Sequence, residues 1–170
     1  MRGSEVTSRE QAAWHVLRAL PDPEVPVISL VELGIVRGVR LRDDGGMEVV
    51  LTPTYSGCPA TEAIERSVRD ALDEAGLGPV DIVLQRAPAW TTDWISGEGR
   101  AKLLQYGIAP SGRCAVAADQ PIRFHATPAV GCPRCGSART QRLSAFGSTP
   151  CKSLYRCLAC AEPFEFFKPI

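Results

Sequence analysis

The sequence contains only two histidines, and it has neither an excess of charge nor a long hydrophobic run. With only two histidines, the sequence offers few candidate ligands for a di-iron centre of the carboxylate–histidine type. Nineteen basic residues balance nineteen acidic ones, so no overall field draws the chain to nucleic acid or to an anionic membrane. The most apolar run, 25–36, is interrupted by Ser29 and Glu32, and the first residues lack an apolar segment. We therefore expect no membrane span, no signal peptide and a cytoplasmic location.

Several motifs of enzyme chemistry are also missing. The sequence has no P-loop, no G-x-S-x-G elbow, no H-E-x-x-H zinc motif and no dinucleotide fingerprint after a strand. With 170 residues the chain can form one core, or a domain of about 100 residues with a small second domain. A large enzyme barrel is excluded, and we expect no catalytic activity of the chain's own.

Seven cysteines are many for a cytoplasmic chain, and four of them form two C-x-x-C pairs: Cys132, Cys135, Cys157 and Cys160. In each pair the thiolates converge on one side of a tight loop, so two pairs supply a tetrahedral set of four sulfurs. Zn²⁺ suits this closed site best, although iron, as a single ion or a cluster, also accepts four thiolates. Because a segment of about 40 residues buries too little apolar surface to fold alone, we expect the metal to be structural.

The N-terminal half alternates between helical and strand-like patterns. A capping box of Thr7 and Glu10 predicts the start of a first helix, which must end near Pro21. Three strands are predicted, over 35–41, 47–54 and 80–84. Turn residues at 43–46 join the first two strands into a hairpin, and an apolar stripe over 59–75 predicts a second helix. The predicted fold class is α+β: a small mixed sheet with packed helices, followed by a C-terminal zinc-ribbon-like domain.

Cys58 stands in SGCP, at the junction between the second strand and the second helix. If the helix starts at Pro59, unpaired N–H groups and the macrodipole lower the pKa of the Cys58 thiol, and such a thiolate suits soft metals. Asp22 and Glu24 join this site if their loop packs at the same edge of the sheet. Alternatively, the two acids only form a turn and Cys58 is merely small. A thiol enzyme is a weaker alternative, because neither histidine is near Cys58 in sequence.

Residues 86–128 differ in composition from the segments on either side. They contain Trp90 and Trp94, a short predicted helix from after Ser96 to Gly107, and then a stretch dotted with proline and glycine. We interpret them as a connecting arm with some order. The tryptophans are expected to fill a core or an intramolecular contact, with a docking surface as the alternative.

Several motifs resemble known families. PDPEVPVISLVELGIVRGV, the following hairpin and TPTYSGCPATE resemble SufT-like iron–sulfur assembly domains. TPTYSGCPATE, WTTDWIS, YGIAP, CPRCGSA and FGSTPCKSLYRCLACAEPFEFFK together resemble the PaaD family of the bacterial phenylacetyl-CoA oxygenase (epoxidase) system. The resemblance extends from about Ala12 to Lys168. Because these motifs occur in one order, the match is more specific than any one of them.

The resemblance implies a SufT-like domain over 1–85, the connecting arm over 86–128 and a four-cysteine zinc-ribbon-like domain over 129–170. It implies an accessory protein of phenylacetate degradation that assembles or maintains the iron–sulfur or di-iron centre of the oxygenase. Cys58 falls on the reactive cysteine of the assembly family's CP motif, and Asp22 and Glu24 fall on its acidic DPE motif. The four paired cysteines fall on the zinc-binding tail.

The implied cofactors are a structural Zn²⁺ and a transiently bound iron ion or iron–sulfur cluster. The implied partners are the reductase or di-iron components of the oxygenase, with no nucleic acid and no membrane, and a homodimer is left open. The alternative function is a zinc-stapled structural adaptor with no iron-handling role. Cys151 is expected to be a buried non-ligand or a fifth thiol near the metal, and no role is assigned to Cys114.

Overall fold

The computed structural model describes residues 2–55, 57, 59–112 and 129–170. The chain forms two compact units, Met1–Trp90 with Trp94–Gly99 and Thr91–Asp93 with Arg100–Ile170. The described residues of the predicted arm are divided between these units, and the three-part division of the chain stays a prediction. Within the described ranges, no helix has the length and apolarity of a membrane-spanning segment.

The first unit contains a three-stranded sheet built from β1 (Val36–Leu41), β2 (Met47–Leu51) and β3 (Val80–Leu84). The strand order is β1-β2-β3; β1 and β2 pair antiparallel, whereas β2 and β3 pair parallel. The β1–β2 turn is closed by Asp44, whose Oδ1 accepts a hydrogen bond from the Gly46 N–H at 3.0 Å. The predicted mixed sheet is confirmed, and it is mixed because a helical crossover separates β2 from β3.

Helices α1 (Arg2–Ala19) and α2 (Thr61–Glu74) pack with this sheet: α1 contacts β1 and α2, and α2 contacts β3. Helix α1, strand β2 and helix α2 all contribute buried apolar side chains: Leu17, Met47, Val49, Leu51, Ile64, Val68 and Leu72. Those of α2 recur every four residues, so one face of the helix is buried. Burying each side chain of this size stabilises the unit by about 2 kcal/mol before the loss of conformational entropy.

Both helices begin elsewhere than the sequence patterns predicted. The helix predicted from Thr7 begins at Arg2, and the Glu10 carboxylate accepts a hydrogen bond from the Leu41 N–H at 3.0 Å. Helix α2 begins at Thr61, because Pro59 and Ala60 form a turn before it. The prediction that this helix starts at Pro59, directly after Cys58, was therefore wrong.

The tryptophans of the predicted arm make intramolecular contacts in the first unit. Trp90 is buried, and its Nε1–H donates to the backbone oxygen of Leu33 at 3.0 Å. The Arg37 guanidinium lies 3.6 Å from the centroid of the Trp94 ring. These contacts confirm the interpretation of both tryptophans as internal packing groups. The short helix predicted after Ser96 is also present, as α3 (Gly97–Tyr106).

The second unit contains a four-stranded ribbon sheet. Its strands are β4 (Ile108–Ala109), β5 (Thr140–Ser144), β6 (Lys152–Cys157) and β7 (Pro163–Phe167). They lie in the order β4-β7-β6-β5, with β4 parallel to β7 and the other pairs antiparallel. A small core beneath the cysteine loops includes Tyr155 and Phe164, which stack with their ring centroids 5.8 Å apart, and Phe166 packs against it. The zinc-ribbon-like fold is as the sequence predicted.

An ion pair between a buried lysine and a half-buried glutamate joins β6 to β7. The Lys152 ammonium lies 2.9 Å from Oε2 of Glu165, and the two side chains are only 3% and 22% exposed. The other oxygen of Glu165 accepts a hydrogen bond from the Ser148 N–H, in the loop between β5 and β6. The pair therefore fixes this loop to the sheet below it.

Candidate functional site

The four cysteines of the C-x-x-C pairs converge in the ribbon. The Sγ atoms of Cys132, Cys135, Cys157 and Cys160 all lie within 4.8 Å of one another. Two of the edges are short: Cys132 Sγ is 3.8 Å from Cys160 Sγ, and Cys135 Sγ is 3.6 Å from Cys157 Sγ. Cys132 and Cys157 are buried, whereas Cys135 and Cys160 are exposed. Each loop thus contributes one inner and one outer sulfur.

These distances fit a tetrahedral metal ion. Four sulfurs at about 2.3 Å from a central Zn²⁺ are about 3.8 Å from one another, close to the two short edges of this set. Each first cysteine also accepts hydrogen bonds from its own loop: the Arg134 N–H donates to Cys132 Sγ at 3.4 Å, and the Ala159 N–H donates to Cys157 Sγ at 3.4 Å. Such backbone donors stabilise thiolates, which are the metal-binding form of cysteine.

When no cation is bound, the closeness of the four thiols opposes the ionisation of all of them together. Hydrogen bonds led by the Cys160 N–H outweigh desolvation and lower the pKa of the Cys157 thiol to about 6. The Glu162 N–H lowers the pKa of the Cys160 thiol, but desolvation and the neighbouring sulfurs outweigh it and raise this pKa to about 12. One sulfur therefore ionises readily and its neighbour does not. A bound dication would compensate the charge of further thiolates.

The two cysteine loops close with the same backbone conformation. The residue after the second cysteine has a positive φ in each loop, 73° at Gly136 and 64° at Ala161. This left-handed conformation is suited to glycine, whereas a residue with a Cβ is strained there. Gly136 was not predicted to matter, although a glycine directly after C-x-x-C indicates it. The backbone of Ala161 is thus strained, directly after Cys160 of the four-sulfur set.

We expect the substitution Ala161→Gly to stabilise the metal-loaded ribbon and Gly136→Ala to destabilise it, each by about 1 kcal/mol. A Cβ at Gly136 would meet no atom within 4 Å, so its effect isolates backbone strain. Denaturant unfolding of the metal-loaded protein measures both changes. The control is Gly131→Ala, which has equal space and no positive φ, and which we expect to stabilise the protein slightly, by at most about 1 kcal/mol, through lost freedom of the unfolded chain. Equal stabilities for Gly131→Ala and Gly136→Ala would contradict the prediction.

In the first unit, Asp22 occupies the turn that follows α1. The carboxylate is buried, and its Oδ1 accepts hydrogen bonds from the Glu24 N–H at 2.9 Å and the Val25 N–H at 2.8 Å. This arrangement stabilises the turn. Glu24 is partly buried in the same turn. The turn-forming role of Asp22 is therefore observed, and a role of either acid in handling iron stays a prediction.

A series of backbone hydrogen bonds joins this turn to the end of the sheet. The Leu30 N–H donates to Leu20 at 3.0 Å, the Ile35 N–H donates to Leu30 at 2.9 Å, and the Thr52 N–H donates to Ile35 at 2.8 Å. Each acceptor is a backbone oxygen. The segment containing Asp22 is therefore tied to the residue that follows β2, a few residues before SGCP.

Two buried threonines, Thr52 and Thr54, also follow β2. The Thr52 hydroxyl has no hydrogen-bond partner among the described residues, and a buried hydroxyl left in this way costs about 1–3 kcal/mol. No sequence pattern predicted a role for them, although their position directly before SGCP could have indicated one. Cys58 itself lies outside the described residues, so its approach to Asp22 and Glu24 stays a prediction.

The two remaining cysteines differ in what the structure describes. Cys151 is buried, and its Sγ lies 3.0 Å from the Thr149 hydroxyl oxygen. It is not a member of the four-sulfur set. Cys114 lies outside the described residues.

Two family models match the parts of the chain that contain these sites. A model described as an iron–sulfur cluster assembly protein matches residues 10–82, and that of the PaaD zinc beta ribbon domain matches residues 117–168. A protein of Escherichia coli (strain K12), named as one of the subunits of a "Putative 1,2-phenylacetyl-CoA epoxidase", is 47% identical over 157 residues, which cover 92% of this chain and 91% of that protein. The chain belongs to the PaaD family.

Shorter proteins are also similar to this PaaD-family chain. A "Fe-S protein maturation auxiliary factor" of Porphyromonas gingivalis (strain ATCC BAA-308 / W83) is 33% identical over 101 residues, covering 59% of this chain and 95% of that protein. A solved structure, the "Domain of Unknown Function DUF59 from Bacillus anthracis", aligns with a TM-score of 0.55 at 22% identity, covering 59% of this chain and 96% of that one. The latter shows the fold alone.

The matched ranges of this PaaD-family chain contain all the iron-handling and metal-binding residues predicted from the sequence. The assembly-protein range, 10–82, includes Asp22, Glu24 and Cys58. The ribbon range, 117–168, includes the four clustered cysteines. The geometry brings together the second group; for the first group it shows only the turn of Asp22 and its connection to the end of β2.

Proposed function

We propose that this chain assembles or maintains the iron–sulfur or di-iron centre of a phenylacetyl-CoA epoxidase complex, as an accessory protein of phenylacetate degradation. The observation that carries the proposal is the presence, in one chain, of an iron–sulfur assembly domain over 10–82 and a PaaD zinc ribbon over 117–168. The 47% identical relative named as an epoxidase subunit supports the choice of complex. The reductase or the di-iron component is the client, and the cytoplasm is the site of action.

In this proposal the two sulfur sites have different tasks. The Cys58 thiolate binds iron or a cluster as cargo for a limited time, and the acidic turn of Asp22 and Glu24 assists it. The four ribbon cysteines hold Zn²⁺, which supplies structural cross-linking of the two loops. Their close tetrahedral set supports this division, because four protein ligands leave no open position for exchangeable chemistry. Metal analysis of the purified protein distinguishes zinc from iron at the ribbon.

Replacement of Cys58 tests the cargo role. We expect anaerobic reconstitution with ferrous iron and sulfide to load a cluster on the wild-type protein, and Cys58→Ala to weaken loading by at least about tenfold, because a metal ligand is lost. Visible absorption and bound iron per chain measure the loading, and the zinc content should not change. The matched control is Cys114→Ala, which removes a thiol outside both proposed sites. Equal spectra for Cys58→Ala and the wild type would end the cargo role.

Asp22 needs a substitution that spares its turn. Asp22→Asn keeps an Oδ1 acceptor for the Glu24 and Val25 N–H groups and removes only the charge. We expect this variant to fold normally and to load iron less well than the wild type. Asp22→Ala, in contrast, removes the acceptor and affects folding as well. Normal loading by Asp22→Asn would leave Asp22 with its turn role alone.

The second candidate function is a zinc-stapled adaptor that binds the epoxidase without handling iron. It is favoured by one observation, the closed set of four sulfurs in a ribbon of its own. The adaptor hypothesis predicts full epoxidase activity in cells that carry Cys58→Ala and loss of this activity in cells that carry Cys132→Ala. The assembly factor predicts loss of activity with both.

A further inference from the structure

The outer edge of the ribbon sheet carries an exposed strip. It consists of Thr140–Ser144, which is β5, together with Phe146, and we call it the edge strip. β5 is the last strand in the order β4-β7-β6-β5, so no described strand pairs with its outer side. Leu143 and Phe146 are 52% and 63% exposed. Exposed apolar side chains beside an open sheet edge are typical of a site for strand addition.

The register shows which backbone groups face outward. The Leu158 N–H donates to the backbone oxygen of Arg139 at 2.8 Å, and Gln141 lies opposite Arg156 in the antiparallel pair. Because backbone groups of an edge strand alternate in direction, Gln141 faces β6 and Arg142 faces away from it. The N–H and C=O groups of Arg142 are therefore presented at the open side of β5.

The loop after β5 holds Phe146 in position despite its exposure. The Phe146 N–H donates to the Ser144 hydroxyl at 3.2 Å, and the Lys168 ammonium lies 4.5 Å from the ring centroid. The following residues are fixed as well, because the Gly147 N–H donates to the backbone oxygen of Lys152 at 2.8 Å. The Lys152–Glu165 pair lies at the base of the same loop. The exposed ring is thus preorganised, and preorganisation reduces the entropy lost on binding.

The surroundings of the edge strip are positively charged. Residues 129–170 contain six basic and two acidic side chains, in a chain that is neutral overall. One of the two acids, Glu165, is already paired with Lys152. A dication on four thiolates would add two negative charges at the cysteine loops, and the ribbon would remain positive. Exposed Arg139, Arg142 and Arg156 lie on or next to β5.

We propose that the edge strip binds an extended, acidic segment of a partner protein as an additional strand of the ribbon sheet. The partner's backbone pairs with Arg142, its carboxylates approach the arginines, and its apolar side chains cover Leu143 and Phe146. This binding surface is separate from the four-sulfur site and requires no transfer of metal.

Two other occupants fit less well. A second copy paired antiparallel through β5 would bring the arginines of the two strands together, and like charges across strands are destabilising. The register shift between Arg142 and Ser144 also interrupts the flat edge that self-pairing uses. The phosphates of nucleic acid would complement the positive charge of the arginines, but nucleic acid has no peptide backbone to pair with Arg142.

The test uses the full-length, metal-loaded protein and three fluorescent probes: a peptide of alternating glutamate and leucine, a peptide of alternating lysine and leucine, and single-stranded oligouridine RNA. We expect fluorescence anisotropy to show binding of the acidic peptide alone, weakened by added salt. Arg142→Glu and Phe146→Ser should each weaken this binding by about tenfold. Arg66→Glu, the same charge change at an exposed site on α2, is the control and should have no effect.

Hydrogen exchange locates the contact. We expect the acidic peptide to slow exchange of the Arg142 amide and to leave the amides of α2 unchanged. Absence of peptide binding, equal binding of the acidic and basic peptides, or binding of the RNA alone would overturn the proposal. Dimerisation through β5 that excludes the peptide would overturn it in favour of a second copy. Each variant is first checked for bound metal and for an unchanged unfolding midpoint, so that misfolding is recognised.

Discussion

Cys157→Ser is expected to remove the metal from the ribbon and to unfold the second unit's sheet. Cys157 is fully buried at the end of β6, and its sulfur accepts hydrogen bonds from the Ala159 and Cys160 N–H groups. A serine hydroxyl is a poor substitute for a thiolate ligand. Because binding of structural zinc contributes about 10 kcal/mol or more to the folding of small zinc domains, the loss exceeds what the aromatic core can supply.

The measurement combines metal content with amide dispersion in NMR spectra. Ribbon amides should collapse to the unfolded range, whereas amides of the first unit, which has its own core, should keep their positions. Treatment of the wild type with a strong chelator should reproduce the change. The control is Cys151→Ser, at a buried cysteine outside the four-sulfur set, and it should retain the metal. If Cys157→Ser kept both its metal and its ribbon spectrum, the structural role of the site would be refuted.

Glu165→Gln is expected to lower the stability of the metal-loaded ribbon by about 3 kcal/mol, because it leaves the buried Lys152 ammonium without its carboxylate. The glutamine still offers an oxygen to the Ser148 N–H, so the change isolates the charge. The double variant Lys152→Met/Glu165→Gln removes both charges and should recover most of the loss. Denaturant unfolding of the wild type and the two variants measures these free energies. A double variant less stable than Glu165→Gln would contradict the prediction.

The same pair predicts a dependence on pH. Desolvation raises the pKa of Glu165, but hydrogen bonds from Ser148 and Lys152 outweigh it and bring the pKa below its ordinary value of 4.5. A lowered folded-state pKa contributes stability above the unfolded-state pKa, and this stability is lost as the pH falls through the folded-state value. The gap in stability between the wild type and Glu165→Gln should therefore narrow in acid. A gap that stays constant from neutral to acidic pH would show that the charge of Glu165 does not matter.

The sequence predicted those features whose cause is local. Two C-x-x-C loops are sufficient to indicate a four-sulfur site, because each loop directs its own sulfurs. The β1–β2 hairpin was predicted because its turn is closed by Asp44 within the turn itself. The internal role of Trp90 followed from its size and apolarity alone.

Features that depend on distant segments were not predicted. β4 has only two residues, and it is a strand because it pairs with β7, far away along the chain. The Lys152–Glu165 pair depends on the register of β6 against β7. Glu10 was predicted to cap α1, but its carboxylate accepts a hydrogen bond from the distant Leu41 N–H. The start of α2 could not be predicted from Pro59, because proline fits both a first helical position and a turn. The surroundings of Cys58 remain at the level of the sequence prediction.

The inner and outer sulfurs of the ribbon also bear on how fast a metal ion exchanges, as distinct from how tightly it is held. Cys132 and Cys157 are shielded by the protein, whereas Cys135 and Cys160 face water. A competing chelator in solution would therefore reach Cys135 and Cys160 first, and Cys132 and Cys157 are the residues that would still hold a metal ion at that point. A site with strong equilibrium affinity can in this way be kinetically labile from one side without unfolding.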